Sequence, residues 1–144
     1  HEMQRYLSKI SGPLLDRIDI HIEVTPVPFE KLSEERKAES SVDIRQRVTK
    51  AREVQSARFE SFDAVNYNAQ MSTKQIREFC KLDETSLQLL KTAMERLNLS
   101  ARAYDRILKV SRTIADLEAS TSINSTHIAE AIQYRSLDRD GWLG

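Results

Sequence analysis

The sequence predicts a mainly α-helical fold, a helical bundle preceded by one short strand-containing segment, and three observations support this prediction. The chain has 144 residues, 40% of them hydrophobic, which is enough for the core of one ordinary domain. From residue 40 onward, helix-capping residues precede apolar residues that repeat at three-to-four spacing. Before that point, residues 18–24 alternate strictly between apolar and polar, which is the period of a half-buried strand.

The opening segment differs in character from the rest of the chain. Residues 3–10 have helical character, and the alternating strand pattern ends at Pro26 and Pro28, which have no backbone N–H for a ladder. A lone strand has no partner in this sequence, so we expect residues 1–28 to be the end of an α/β core. Its apolar face is expected to be uncovered, and its deletion to leave the helices folded. The chain opens at His1 without an initiator methionine, which favours a piece of a longer protein.

A polar, charged linker over residues 29–41 leads into the first long predicted helix. Ser40 and Asp43 have the spacing of a capping box, and an apolar stripe follows over residues 42–60. The stripe consists of Ile44, Val48, Ala51, either Val54 or Gln55, and Phe59.

Four more helices are predicted by their caps and by their apolar periodicity. The proposed caps are Ser72 with Gln75, Asp83, Ser100, and either Asn124 or Ser125. The third helix of the bundle is expected to end near Asn98, and the fourth to continue to about Leu117. Short connections between such helices predict a compact helical domain over residues 42–136, followed by a frayed tail at 137–144.

Composition excludes several classes of function. The 22 basic and 22 acidic residues cancel, so any binding to nucleic acid needs a local patch. The glycines, Gly12, Gly141 and Gly144, lie too far apart for a phosphate-binding loop, so this chain alone is not a P-loop enzyme. No apolar run approaches the roughly 20 residues that span a bilayer, and no leader opens the chain, which predicts a cytoplasmic protein without a membrane contact.

No residue pattern indicates a nucleophile or a metal site. The three histidines lack zinc-ligand spacing, and His127 is expected to be an ordinary surface residue in the first turn of the last helix. Cys80 follows Phe79 on an apolar helix, which favours a buried, inert thiol.

Three arginines are the candidate functional residues. Arg17 follows the turn at 12–16 and precedes the strand, although an ion pair with Asp16 or Asp19 would explain it as well. Arg102 lies in the first turn of the helix opened by Ser100, where free N–H groups and the helix dipole favour anions. Arg106 and Lys109 continue a basic stripe on that helix, which on its own is usually only a solvated face.

Two long runs resemble one family. Residues 6–24, YLSKISGPLLDRIDIHIEV, resemble the end of the AAA+ core in magnesium-chelatase-like ATPases of the ComM/YifB type. Residues 99–117, LSARAYDRILKVSRTIADL, resemble the sensor-2 helix of the same family. The runs NAQMS at 68–72 and AEAIQYR at 129–135 are similar to family landmarks, so the resemblance covers nearly the whole chain.

The resemblance implies the helical lid domain of a ring-forming AAA+ ATPase, with the nucleotide held between identical subunits. Arg17 would be the arginine finger that enters the neighbouring subunit's site, and Arg102 would be sensor 2, with Arg106 as the fallback. The parent would use ATP and Mg²⁺ and would work on DNA, by branch migration or remodelling.

The family's Walker A, Walker B and sensor-1 segments are absent from this chain, so it should neither bind ATP tightly nor hydrolyse it alone. Two alternatives stay open. One is a subunit of a true magnesium chelatase. The other is a non-enzymatic helical module that binds nucleic acid or protein through Arg102, Arg106, Lys109 and the basic side of residues 45–58.

Overall fold

The computed structural model of the protein describes residues 11–22, 24–28 and 38–135, and this part of the chain is mainly helical. It contains one single-turn helix and five longer ones, with a 3₁₀ turn at Asn68–Gln70. The helices are α1 Gly12–Leu15, α2 Ser41–Arg58, α3 Thr73–Phe79, α4 Glu84–Arg96, α5 Ala101–Leu117 and α6 Ser125–Gln133. The predicted helical residues 3–10, most of the linker at 29–41 and the tail at 137–144 lie outside the described residues.

The predicted caps begin the five longer helices. Ser72 and Gln75 form a complete capping box, in which Gln75 Oε1 accepts from Ser72 N at 2.8 Å and Ser72 Oγ accepts from Gln75 N at 3.4 Å. Asn124, rather than Ser125, caps α6. The other caps are Ser40, whose Oγ accepts from Asp43 N at 3.2 Å, Asp83, which accepts from Ser86 N at 2.7 Å, and Ser100, which accepts from Ala103 N at 3.2 Å.

The core is built around α5. This helix packs against α2, α3, α6 and the 3₁₀ turn, while α4 packs against α6. Fully buried aliphatic side chains fill the centre, among them Leu90, Ile107 and Ile128. At one end, three phenylalanine rings meet edge to face with centroids 5.5 to 6.2 Å apart, and they are Phe59, Phe62 and Phe79. The predicted helical bundle is confirmed.

The first half of α2 does not pack as its apolar stripe predicted. Ile44 and Val48 are exposed, and the first buried residue of the helix is Ala51. Of the two alternatives for the buried stripe, Val54 and Gln55, the structure buries Gln55. Its Oε1 accepts a hydrogen bond from the N–H of Asn68 at 3.1 Å. A polar side chain that satisfies a backbone donor can thus take a core position ahead of a valine.

The predicted strand does not form in the described part of residues 18–24. These residues have no regular secondary structure. Elsewhere in the described chain, an isolated parallel β-bridge joins Leu82 to Ile123. A ladder needs a second strand, and none of the described residues forms one beside this segment. The segment is nevertheless attached to the bundle, because His21 is buried and its N–H donates to the carbonyl of Tyr134 at 2.7 Å. The expected exposed apolar face is present, since Ile18, Ile20 and Ile22 remain accessible.

Among the helices of the described residues, none is both long enough and apolar enough to pass through a lipid bilayer.

Candidate functional site

Arg17 lies in a tight turn immediately after α1. Its N–H donates to the carbonyl of Leu14 at 3.0 Å, and the N–H of Ile18 donates to the carbonyl of Leu15 at 3.0 Å. The Arg17 side chain is exposed and has no ion pair with another described residue. The suggested pair with Asp19 does not form, because Asp19 contacts a different arginine. The turn therefore presents one guanidinium group to solvent.

Arg102 occupies the first turn of α5. The helix is 17 residues long, and the hydroxyl of Ser100 satisfies only one of its free N–H groups, that of Ala103. Arg102 is exposed and makes no hydrogen bond or ion pair with another described residue, whereas Ala103 next to it is fully buried. A permanent charge close to the positive end of a long helix favours an anionic ligand.

The two other members of the basic stripe already have partners. Arg106 forms an ion pair with Asp19 at 3.0 Å, which joins α5 to the segment that follows Arg17. Lys109 donates from Nζ to the carbonyl of Ala69 at 2.9 Å. Burial lowers the pKa of Lys109, and the neighbouring charge of Arg106 lowers it further. The structure thus brings Arg106, and not Arg102, into contact with the Arg17 segment.

A largely buried network of polar side chains between α2, the 3₁₀ turn and α5 was not predicted from the sequence. The carboxylate of Asp116 accepts from both terminal nitrogens of Arg58, from Arg112 Nε at 3.1 Å and from Asn68 Nδ2 at 2.8 Å. Burial lowers the pKa of Arg112, while the Asp116 carboxylate opposes that shift. These four side chains tie α2, the 3₁₀ turn and α5 together, so the NAQMS landmark has a structural role. One feature of the sequence could have indicated this network: Arg112 and Asp116 lie four residues apart on the apolar face of α5.

A buried arginine also fixes the turn that holds Arg17. Arg135, just after α6, is 1% exposed. Its Nη2 donates to the carbonyl of Leu15 at 3.4 Å and its Nη1 donates to the carbonyl of Ile18. The AEAIQYR landmark thus ends on a side chain whose partners lie on both sides of Arg17.

The prediction that His127 is a surface residue is wrong, whereas the predicted burial of Cys80 is confirmed. His127 is fully buried because its ring replaces the usual Glu or Gln of a capping box: Nδ1 accepts from Asn124 N at 3.1 Å, while Nε2 lies 2.9 Å from Glu118. Cys80 is buried, and burial raises the pKa of its thiol to about 12. Within the described residues, no group of three or more His, Cys, Asp or Glu side chains is placed to hold a metal ion.

The helical bundle is consistent with a helical lid domain of the magnesium chelatase C-terminal type. Residues 38–135 match the family model for the C-terminal part of magnesium chelatase subunit ChlI, and residues 1–32 match the model for magnesium chelatase subunit ChlI. The chain belongs to this magnesium-chelatase-like AAA+ family.

Similar proteins occur in several bacteria. The competence protein ComM of Haemophilus influenzae is 43% identical over 139 residues, which is 96% of this chain and 26% of that protein. The uncharacterized protein YifB of Escherichia coli is 42% identical over 136 residues, or 94% of this chain and 26% of that protein. An uncharacterized protein of Mycobacterium tuberculosis is 35% identical over 132 residues, 92% of this chain and 26% of its own length. The chain therefore spans about a quarter of the length of these relatives.

Proposed function

We propose that this chain is the lid-containing part of a ring-forming AAA+ ATPase, in which Arg17 is the arginine finger and Arg102 is sensor 2. The finger would enter the nucleotide site of a neighbouring, identical subunit. The observation that supports this most directly is that both motif arginines keep exposed guanidinium groups without a described protein partner. Other cations of the same motifs, such as Arg112 and Lys109, are bonded to the bundle itself.

The chemistry of phosphoryl transfer gives both arginines a function. Charge develops on the oxygens of the γ-phosphoryl group in the transition state, and a planar guanidinium can neutralise it through two parallel hydrogen bonds. An arginine finger accelerates such reactions by about 10³ to 10⁵. Among the described residues no group of three or more His, Cys, Asp or Glu side chains is placed to hold a metal ion, and the proposal gives none of them a role in holding the Mg²⁺ that accompanies ATP.

Sensor 2 is assigned to Arg102 in preference to Arg106. The Arg106 side chain already faces the carboxylate of Asp19 at 3.0 Å, and turning to a phosphate would break that ion pair. Arg102 has no such partner to lose among the described residues and lies one turn closer to the free N–H groups of α5. A lid that contacts the γ-phosphate through one residue can move when the phosphate leaves, which would couple hydrolysis to mechanical work.

DNA is the proposed object of the motor. The support is the similarity to a protein named for competence, so branch migration or remodelling of DNA is the proposal for the parent, ahead of a magnesium chelatase subunit. A non-enzymatic nucleic-acid-binding module is less favoured, because two of the three cations in its suggested stripe, Arg106 and Lys109, are bonded to protein groups. Tight, steeply salt-dependent binding of DNA by this chain alone would favour the module instead.

The test is the ATPase activity of the full-length protein that contains this sequence, with Arg17→Ala compared with Arg96→Ala. Arg96 is an equally exposed arginine at the end of α4 and serves as the matched control. We expect Arg17→Ala to lower kcat by roughly 100-fold or more, while Arg96→Ala stays near wild type. A loss in Arg17→Ala of less than about twofold would contradict the finger assignment.

A further inference from the structure

The buried guanidinium of Arg135 binds the backbone on both sides of Arg17. Two of its N–H groups donate to backbone carbonyls, one to that of Leu15, two residues before Arg17, and one to that of Ile18, one residue after Arg17. Arg135 is 1% exposed, so its guanidinium group is shielded from water on its own side of this contact. A planar fork with fixed donor geometry suits two carbonyls at a fixed separation, which a lysine could not satisfy in the same way.

The turn needs such support because α1 is only four residues long. Helix ends leave carbonyls without intrahelical partners, and one helical turn stabilises itself poorly. Within the turn, the carbonyls of Leu14 and Leu15 accept from Arg17 and Ile18. The carbonyl of Ile18 has Arg135 as its donor.

Two more contacts extend the attachment along the chain. The residue before Arg135 also takes part, since the carbonyl of Tyr134 accepts from the N–H of His21 at 2.7 Å. On α5, Arg106 pairs with Asp19 at 3.0 Å. Residues 15–21 thus make three hydrogen bonds with Tyr134 and Arg135, just after α6, and one ion pair with Arg106 on α5.

We propose that Arg135 is a positioning residue that holds the Arg17 turn on the lid, so that finger and lid move as one body. The inference rests on the proposed function, because it gives Arg135 a role only if Arg17 acts on a neighbouring subunit's nucleotide. α6 packs directly against α5, which holds Arg102 in its first turn. A displacement of the lid at Arg102 would therefore also move Arg17, and the state of one nucleotide site would be transmitted to the next subunit.

The test uses the full-length protein with Arg135→Lys, and Arg112→Lys as the matched control. Arg112 is equally buried and also donates to two backbone carbonyls, those of Ser120 at 2.6 Å and Thr121 at 3.1 Å, but it does not touch residues 15–21. We expect Arg135→Lys to lower kcat by about tenfold or more, with the KM for ATP within about twofold, since a finger acts on the transition state. The control should keep its kcat per folded molecule.

Two further measurements separate positioning from a general loss of stability. The double variant Arg17→Ala with Arg135→Lys should be no slower than Arg17→Ala alone, because a misplaced finger and a missing finger remove the same interaction. Amide hydrogen exchange of His21 should become at least about tenfold faster in Arg135→Lys, while the amides in the middle of α5 stay unchanged.

The outcomes distinguish the positioning role of Arg135 from the finger role of Arg17. Additive losses in the double variant, or equal losses of kcat in Arg135→Lys and Arg112→Lys, would overturn the positioning role even if Arg17 is the finger. If Arg17→Ala has no effect, the proposed function fails instead. If Arg135→Lys does not fold, amide hydrogen exchange of the unsubstituted protein tests the attachment instead. Protection of the His21 amide equal to that of the last turn of α6 would support the attachment. Exchange of the His21 amide as fast as that of exposed Thr25 would overturn it.

Discussion

The guanidinium of Arg106 lies 3.0 Å from the carboxylate of Asp19, two residues beyond Arg17 in the chain. Both side chains are about one-third exposed, so water screens the pair and its contribution to stability is small. Its significance is geometric: it commits Arg106 to the segment after the Arg17 turn and leaves Arg102 as a cation of α5 without a described partner.

Arg102→Ala and Arg106→Ala should therefore behave differently in the full-length protein. Removing Arg102 is expected to lower kcat of the ATPase by roughly tenfold or more, because the proposed sensor-2 charge on the phosphoryl group is lost. Removing Arg106 should have a smaller effect and should loosen the contact at Asp19, which faster amide exchange of residues 18–22 would detect. Steady-state kinetics with Arg96→Ala as the control checks this. A larger loss in Arg106→Ala than in Arg102→Ala would move sensor 2 to the fallback residue.

Asp116→Ala should destabilise the lid severely. The carboxylate is completely buried and balances both Arg58 and Arg112, so its removal leaves the buried Arg112 and the partly buried Arg58 without their counter-charge. Breaking a buried pair in this way costs about 3 to 5 kcal/mol, a large part of the stability of a small domain. Urea unfolding at neutral pH measures the loss, and Asp63→Asn, at an exposed position, is the control. A change below about 1 kcal/mol would mean that the network is not important for folding.

Local signals in the sequence predicted the helices well. The start of each of the five longer helices is fixed by a short-range hydrogen bond between residues two or three apart, and such bonds depend on spacing alone, as at Ser72 and Gln75. The sequence also predicted that α4 would end near Asn98; the helix ends at Arg96, and Asn98 two residues later has φ of 47°, as residues after helix ends often do. The apolar pattern of α2 was less informative, because periodicity shows which face is apolar but not how far the neighbouring helices extend to cover it.

Long-range polar contacts were beyond what the sequence could predict. Arg135 meets Leu15 across 120 positions of sequence, and Arg58 meets Asp116 across 58. No spacing rule connects such residues, and charged side chains are normally expected at the surface. The error at His127 has the same origin, since its burial depends on the cap at Asn124 and on Glu118 from the preceding helix. The roles of Arg17 and Arg102 remain predictions based on the resemblance.

Cys80 should resist alkylation in the native protein. Burial raises the pKa of its thiol to about 12, so almost no thiolate is present at pH 8, and thiolate is the reactive form. Between the ordinary pKa of 9.0 and about 12 the unfolded state loses this proton while the native state keeps it, so stability falls as pH rises through that range. Iodoacetamide labelling with and without urea checks reactivity. Fast labelling of the native protein would contradict the burial, and Cys80→Ala should remove this part of the alkaline loss.

Asp83 should make the start of α4 sensitive to acid. Its hydrogen bond from the N–H of Ser86 lowers the pKa of the carboxyl below the ordinary value of 3.8. A lowered native pKa stabilises the protein above pH 3.8, and this contribution disappears as pH falls through the native pKa. Asp83→Asn keeps a capping side chain but does not titrate. Thermal unfolding of both proteins at a series of acidic pH values should show the advantage of wild type shrinking toward low pH, and a constant difference would contradict the prediction.

Deleting residues 1–22 should leave a folded but weakened bundle. The helices α2 to α6 share a hydrophobic core that contains no described residue of this segment, so circular dichroism should still report a helical protein. Arg135 would lose its contacts with Leu15 and Ile18, and hydrogen bonds to a charged donor contribute about 1.5 to 3 kcal/mol each. The unfolding midpoint in urea should therefore fall, and Arg135→Lys should cost much less in the shortened protein than in the full chain. Equal costs in the two backgrounds would show that Arg135 stabilises the bundle independently of the Arg17 turn, because a coupling that needs both partners vanishes when one is removed.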